Sequence, residues 1–184
     1  MAQLPRQIDD GYPIVVRLNG RRVLVVGGGP VALRKVGALL AAGASITVVS
    51  PEFVGGFESL SGVEQVRRCY EPADLDSAWL VVAATNDPVV QQRIFDDGER
   101  AGVWVNAVDD PERCSFILPA IERRGPVIVA VSTQGRSPTL AGQLRDHLAG
   151  CLPDDVAELA ERMSDQRRQI QARGSVGDGR PIAG

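Results

Sequence analysis

The chain has 184 residues, of which 44% are hydrophobic and only 4% aromatic, and its formal net charge is −3. This length suits one ordinary domain with a small addition. The charge excludes a global basic field for DNA, and so few aromatic side chains argue against a stacking platform for single-stranded nucleic acid. The first residues lack the apolar core of a signal peptide, and no apolar run is long enough to span a membrane. We therefore expect neither nucleic acid nor a membrane as a partner.

The three cysteines, Cys69, Cys114 and Cys151, are scattered and form no C-x-x-C pair. This spacing predicts neither a disulfide framework nor a zinc site, and it is typical of a reducing compartment. We therefore expect a cytoplasmic protein. The sequence also contains no Ser-His-Asp set, no Walker lysine and no cluster of metal ligands, so we predict no bound metal.

The most informative segment, residues 23–35, reads V-L-V-V-G-G-G-P-V-A-L-R-K. An apolar run typical of a strand ends in Gly27, Gly28 and Gly29, and a helical pattern begins at once. Gly27, Gly29 and Ala32 match the G-x-G-x-x-[GA] spacing of a dinucleotide-binding turn. The first glycine permits the turn, the second lets a pyrophosphate approach the backbone, and the third small residue lets helix and strand pack closely. The alternative is a purely structural turn.

Residues 1–113 alternate apolar strands with helices, which predicts an α/β fold built on a Rossmann-type doubly wound parallel sheet. Residues 79–84 and 103–108 are apolar on both faces, as the strands of a parallel sheet are. Strands are predicted over residues 23–26, 45–49, 63–69, 79–84 and 103–108, and helices over residues 31–42 and 87–101.

A different pattern begins at residue 114. The apolar runs 115–121 and 127–133 are joined by too few residues for a crossover helix, which predicts an antiparallel pair. Ser137 and Pro138 then begin a helix that ends near Gly150. A hairpin and one helix cannot bury an apolar face alone, so residues 114–150 are expected to form a dimerisation region. The apolar face of the helix consists of Leu140, Leu144 and Leu148.

The remaining chain is predicted to form a short helical region, residues 151–173, with a helix over residues 154–171. Residues 174–184 are rich in glycine and poor in large apolar side chains, which predicts disorder.

The turn after the last predicted strand of the sheet reads N-A-V-D-D-P over residues 106–111. Ligands of doubly wound sheets bind beyond the carboxyl ends of the strands. Asp109 could therefore serve as acid, base or anchor for a substrate beside the cofactor, with Asn106 as a substrate contact. The alternative is that Asp109 or Asp110 caps a turn before Pro111.

Polar residues end two other strands. Thr85 follows the fourth strand, where it can approach a nucleotide or equally cap the next helix. Ser50 occupies the place where NAD enzymes often carry an acid for the ribose hydroxyls, and Glu52 lies two residues further on. This pattern favours NAD without excluding NADP, because Arg34 and Lys35 could bind a 2′-phosphate.

Residues 132–138 form a polar loop that leads into a helix N-terminus, which favours the binding of an anion. Arg136 can pair bidentately with a carboxylate. We therefore predict substrate contacts at Ser132, Arg136 and Ser137.

Three segments together carry a family resemblance: V-V-G-G-G-P-V-A-L-R-K, then N-A-V-D-D-P-x-x-C-S-F-I-L-P-A, then V-A-V-S-T-Q-G-R-S-P-T-L-A. Over residues 12–153 and in unbroken order, they resemble the precorrin-2 dehydrogenase/sirohydrochlorin ferrochelatase family, whose members make sirohaem alone or as the front part of a sirohaem synthase. The resemblance implies NAD⁺-dependent oxidation of the tetrapyrrole precorrin-2 to sirohydrochlorin, and in some members insertion of Fe²⁺. It also implies a homodimer with a Rossmann domain, a dimerisation region and a C-terminal helical domain.

The resemblance also implies roles for particular residues. The catalytic aspartate of the family matches Asp109. The C-terminal helical segment is shorter here than in family members, which leaves iron insertion unassigned and a bifunctional dehydrogenase/ferrochelatase as the alternative. A second alternative is a non-catalytic NAD-sensing module. The nucleotide contacts of the family match Gly28, Gly29, Pro30 and Val31, together with Ser50, Pro51 and Glu52.

Overall fold

The computed structural model describes residues 11–174. The chain divides into two compact units, Met1–Leu118 and Pro119–Gly184. Each unit has its own sheet.

The first unit contains a five-stranded parallel sheet in the order β3-β2-β1-β4-β5, with two long helices, which confirms the predicted doubly wound fold. The chain crosses from β1 outward to β3 and returns past β1 to β4. The carboxyl ends of β1 and β4 therefore form the switch point at which such sheets bind ligands. The elements are β1 (Arg22–Val26), α1 (Pro30–Ala41), β2 (Ser45–Val49), β3 (Val63–Val66), β4 (Leu80–Ala83), α2 (Pro88–Ala101) and β5 (Trp104–Ala107).

Alternate residues of the strands enter two hydrophobic clusters, one on each face of the sheet. Leu24 and Val81 belong to the cluster that contains Ile94 of α2, whereas Val23 and Val25 belong to the cluster that contains Val36 of α1. Their side chains are at most 2% exposed. Burial on both faces explains why the strands are continuous apolar runs without alternation.

A buried tyrosine, Tyr70, links the segment after β3 to helix α2. The Tyr70 hydroxyl donates a hydrogen bond of 2.9 Å to Asp97 Oδ2, and Asp97 also pairs with Arg100. Burial, followed by the hydrogen bond to Asp97, raises the pKa of Tyr70 above its usual range.

This tyrosine predicts a specific alkaline instability. Tyr70 ionises from about pH 10 in the unfolded chain but stays neutral in the folded chain. Its contribution to the free energy of unfolding is therefore fully present below about pH 10 and decreases as the pH rises further. The loss attributable to Tyr70 is at most about 1.4 kcal/mol per pH unit. Urea denaturation between pH 9 and 11 should show that the free energy of unfolding of Tyr70→Phe depends less on pH than that of the wild type. Tyr12, which is 88% exposed, offers the control Tyr12→Phe, whose pH dependence should match the wild type.

The second unit contains the predicted antiparallel pair, β6 (Ala120–Arg124) and β7 (Val127–Val131), followed by α3 (Pro138–Gly150) and α4 (Val156–Gly174). The first strand lies later than the run 115–121 suggested. Its charged residues alternate between half-buried and exposed positions, which a hairpin tolerates. The turn consists of only Gly125 and Pro126, because Gly125 adopts a φ of 56°.

The C-terminal boundary also differs from the prediction. Helix α4 continues to Gly174, the first residue of the segment predicted to be disordered. The rest of that segment, residues 175–184, lies outside the described residues.

Within residues 11–174, no helix is both long enough and apolar enough to cross a lipid bilayer.

Candidate dinucleotide and catalytic site

The glycine turn joins β1 to α1, and its geometry leaves the start of the helix open. Gly29 is the N-cap of α1 and provides no side-chain cap, and Pro30 occupies the first helical position, where its missing N–H costs nothing. The first N–H groups of a helix have no partner within it. They and the helix dipole are therefore available to a phosphate group.

The three glycines of this turn have different tasks. Gly27 has a φ of 122°, and a Cβ added to it would lie 2.3 Å from the Ala84 carbonyl oxygen. A Cβ on Gly28 would lie 2.0 Å from the Glu52 carbonyl oxygen, whereas a Cβ on Gly29 would meet nothing within 4 Å. The chain's own backbone thus excludes side chains at the first two positions. At Gly29, by contrast, the space beside the start of α1 is open.

The segment after β2 is bound to the glycine turn. Ser50 is 7% exposed, and its hydroxyl donates to the Glu52 carbonyl oxygen at 2.7 Å. The Val54 N–H donates to the Gly28 carbonyl oxygen at 2.8 Å. Pro51 and Glu52 are exposed at the end of this strand. The Ser50 hydroxyl therefore holds this segment in place. The carboxylate of Glu52 remains exposed beside the end of β2.

Thr85 and Gln91 order the segment after β4. Thr85 Oγ1 accepts from the Asp87 N–H at 3.2 Å, and the Asp87 carboxylate caps α2 by accepting from the Val89 N–H at 2.9 Å. Buried Gln91 donates through Nε2 to the Thr85 carbonyl oxygen at 2.8 Å and to that of Val108 at 3.4 Å. It thereby joins the segments after β4 and β5. Sequence reasoning missed Gln91, for which the only signal was a polar residue among the inward positions of α2.

Asp109 follows β5 at the same edge of the sheet as the glycine turn. Its side chain is exposed, whereas neighbouring Asp110 forms an ion pair with Arg113. Its backbone is left-handed, with a φ of 61°, which few non-glycine residues adopt. A strained conformation persists only where the surrounding structure compensates for it. Such conformations cluster at functional sites.

Lys35 on α1 is half-buried and interacts electrostatically with this segment. Burial and the neighbouring Arg34 guanidinium lower the pKa of Lys35, whereas Asp109 and Cys114 act in the opposite direction. The sequence also offers Lys35 as a ligand for a 2′-phosphate. The structure brings its ammonium group within electrostatic reach of Asp109.

The other predicted substrate contacts lie in the second unit, in the loop before α3. Ser137 is the N-cap of α3 and accepts from the Leu140 N–H at 3.2 Å. Ser132 Oγ accepts from the Gln134 N–H at 3.1 Å. Arg136 is exposed. The hydroxyls of Ser132 and Ser137 thus order this loop.

Asn106 lies in β5 with a side chain that is 7% exposed, and its amide donates to the Phe116 carbonyl oxygen at 3.0 Å.

Across the part of the chain that the structure describes, no three His, Cys, Asp or Glu side chains converge as metal ligands.

Comparison with known proteins gives a consistent result. The sequence of Siroheme synthase 2 from Aeromonas hydrophila is 44% identical over 165 residues, and that of Siroheme synthase from Tolumonas auensis is 42% identical over 165 residues. These matches cover 88% and 89% of this chain but 35% of each relative, so the chain spans about a third of their length. The motif resemblance to the sirohaem synthase family is therefore confirmed.

A solved structure described as "SirC, precorrin-2 dehydrogenase" superposes with a TM-score of 0.71 and 28% identity. The match covers 88% of this chain and 81% of that one. A family model described as "Putative NAD(P)-binding" matches residues 14–120, which include the glycine turn and Asp109. The chain therefore belongs to this NAD(P)-binding family.

Proposed function

We propose that the protein is an NAD-dependent precorrin-2 dehydrogenase that forms sirohydrochlorin. The observation that carries the proposal is an exposed carboxylate, Asp109, at the edge of the sheet where the glycine turn leaves space for a dinucleotide. The similarity to a structure described as a precorrin-2 dehydrogenase supports the choice of substrate.

The choice of NAD rests on the end of β2. Exposed Glu52 can accept hydrogen bonds from the two ribose hydroxyls, and its charge would repel a 2′-phosphate. Lys35, a possible phosphate ligand on sequence grounds, interacts instead with Asp109. Ser50 and Thr85 order the ends of β2 and β4 through their hydroxyl groups, and exposed Pro51 is proposed as a further contact of the nucleotide.

The oxidation removes a hydride and a proton from the substrate. NAD⁺ held at the glycine turn would supply the acceptor for the hydride. Asp109 accepts the proton on its carboxylate, and the half-buried Lys35 ammonium stabilises that carboxylate before transfer. We also propose Ser132, Arg136 and Ser137 as substrate contacts, since a guanidinium and hydroxyl groups can donate hydrogen bonds to carboxylates.

The test is anaerobic turnover of enzymatically generated precorrin-2 with NAD⁺, following NADH and the product chromophore together. One NADH for each sirohydrochlorin is expected. Bound NAD⁺ without turnover would refute the dehydrogenase and favour the sensing module. Adding Fe²⁺ to purified sirohydrochlorin without NAD⁺ tests the bifunctional alternative separately, since sirohaem formed faster than without protein would reveal a chelatase.

Cofactor choice gives a second measurement. Glu52→Ser should raise kcat/KM with NADP⁺ about tenfold relative to that with NAD⁺, because a repelling carboxylate is removed. The ratio is measured by initial rates with each cofactor. Glu99→Ser removes an exposed carboxylate from the distant part of α2 and should leave the ratio unchanged. An unchanged ratio in Glu52→Ser would remove Glu52 from the ribose site.

We also propose a homodimer formed through the second unit. Three leucines one helical turn apart on α3 remain substantially exposed, and such an apolar patch marks an interaction surface. Sedimentation velocity at several concentrations should give twice the mass of the chain, and a monomer throughout would refute this part. The exposed fractions are 46% for Leu140, 41% for Leu144 and 45% for Leu148.

For the location, we propose the cytoplasm. Cys69, Cys114 and Cys151 are free thiols, which suits a reducing compartment.

A further inference from the structure

The segment that carries Asp109 leaves and rejoins the sheet through a narrow neck formed by Asn106 and Cys114. These two residues pair in an isolated antiparallel bridge. The next residue, Ser115, donates its N–H to the Val105 carbonyl oxygen at 2.8 Å, and its hydroxyl accepts from the Val105 N–H at 3.0 Å. The neck thus closes a loop of residues 107–113.

The Cys114 thiol lies beneath this loop as a hydrogen-bond donor. Its Sγ is 3.2 Å from the Ala107 carbonyl oxygen and 3.2 Å from that of Asp110. These two carbonyls stand on either side of Val108 and Asp109. A thiol has one hydrogen to donate, so the two carbonyl oxygens share it. Cys114 thereby links the two ends of the short segment that carries Asp109.

The protonation state of the thiol supports this role. Burial, the largest cause, and the charge of Asp110 raise the pKa of the Cys114 thiol, and the charge of Lys35 acts in the opposite direction. The net effect keeps Cys114 protonated. A thiolate could not donate and would be repelled by both carbonyl oxygens.

Asn106 strengthens the same neck from the strand. Its amide donates to the Phe116 carbonyl oxygen at 3.0 Å and contacts Cys114 Sγ at 3.6 Å. The sequence suggested a substrate contact for Asn106, but the side chain is 7% exposed and its amide is engaged within the protein. Its geometry suits a support better than a surface for a ligand.

We propose that Asn106 and Cys114 are positioning residues that hold Asp109 in its left-handed conformation. The strain of that conformation persists only if the surrounding structure compensates for it. The neck, together with the Val108 N–H donated to the Ala83 carbonyl oxygen at 3.0 Å, provides the compensation. The catalytic consequence rests on the proposed dehydrogenase function, whereas the structural consequence does not.

The kinetic test compares Cys114→Ala, which has no donor, with Cys114→Ser, which keeps one. In Cys114→Ala, kcat for precorrin-2 oxidation should fall about tenfold to a hundredfold, since small misplacements of a catalytic group have effects of this size. KM for precorrin-2 and Kd for NAD⁺ should stay within about twofold of wild type, because Asp109 is not a binding group. Cys114→Ser should recover most of the rate. Cys69→Ala, at an exposed thiol outside the loop, is the matched control and should match wild type.

A double variant separates positioning from a general structural role. In the Asp109→Ala background, Cys114→Ala should cause no further loss of single-turnover rate, because its effect acts through a carboxylate that is already absent. An equal loss in both backgrounds would overturn the proposal. Asn106→Ser should lower kcat with KM unchanged, and a raised KM with unchanged kcat would instead assign Asn106 to the substrate.

Crystal structures of the wild type, Cys114→Ser and Cys114→Ala provide a readout that needs no turnover. Asp109 should keep a φ near that of the wild type in the serine variant and leave the left-handed region in the alanine variant. An unchanged φ in Cys114→Ala would overturn the proposal. This result stands whether or not precorrin-2 is a substrate, so a failure of the proposed function and a failure of the neck can be told apart.

Discussion

Replacing Asp109 with alanine is expected to lower kcat for precorrin-2 oxidation at least a hundredfold while Kd for NAD⁺ stays nearly unchanged. General acid–base groups contribute rate factors of about a hundred to ten thousand, and Asp109 follows β5, whereas the dinucleotide turn follows β1. Anaerobic initial rates give kcat, and titration of tryptophan or NADH fluorescence gives the affinity for the nucleotide.

Asp109→Asn distinguishes the carboxylate from the backbone at this position. Asparagine tolerates the left-handed region at least as well as aspartate, so the loop should remain in place while the proton acceptor is gone. We expect the same loss of kcat as with alanine. Asp96→Asn, at an exposed position of α2, serves as the control and should retain full activity. Full activity in both Asp109 variants would remove the catalytic assignment.

The second large effect is expected at two adjacent glycines with opposite consequences. Gly29→Ala should fold with a Tm close to wild type, because its φ of −83° suits alanine and the new Cβ meets no protein atom. It should nevertheless weaken NAD⁺ binding at least tenfold, because the methyl group enters the space proposed for the pyrophosphate.

Gly28→Ala should do the reverse and damage the fold itself. The added Cβ would lie 2.0 Å from the Glu52 carbonyl oxygen, and overpacking of this kind costs about 1–3 kcal/mol or more. Thermal denaturation measures the stability of each variant, and nucleotide titration measures its affinity. Gly37→Ala, on the exposed side of α1 with no atom near its added Cβ, should bind NAD⁺ normally and gain stability. Normal nucleotide affinity in Gly29→Ala would show that the open space does not receive the pyrophosphate.

Much of the fold was accessible from sequence because local patterns determine it. Strands buried on both faces must be continuously apolar, and the strand–glycine–helix order has few structural meanings. Asp109 could be picked out for a geometric reason as well: the carboxyl ends of parallel strands share one edge, so a polar residue after β5 lies at the same edge as a glycine turn after β1.

The rest depends on contacts between residues distant in sequence. No local pattern reports that the Val54 N–H donates to the Gly28 carbonyl oxygen, that Gln91 joins two strand ends, or that Lys35 interacts with Asp109. The left-handed backbone of Asp109 could not be predicted either, since aspartate in a sequence does not indicate a positive φ as glycine does. The late end of β6 shows a related effect, because pairing within the hairpin extends the strand through the charged residues Glu122, Arg123 and Arg124.

At Asp109 the demands of stability and of the proposed activity differ, because the left-handed backbone favours glycine whereas the proposed reaction needs a carboxylate. Glycine would relieve the strain there, so laboratory selection for heat resistance alone would favour Asp109→Gly and discard the carboxylate. A library screened for thermostability should therefore hold this codon fixed. The strained residue of this loop is thus the one at which the proposed chemistry and the rigidity of the loop make opposite demands.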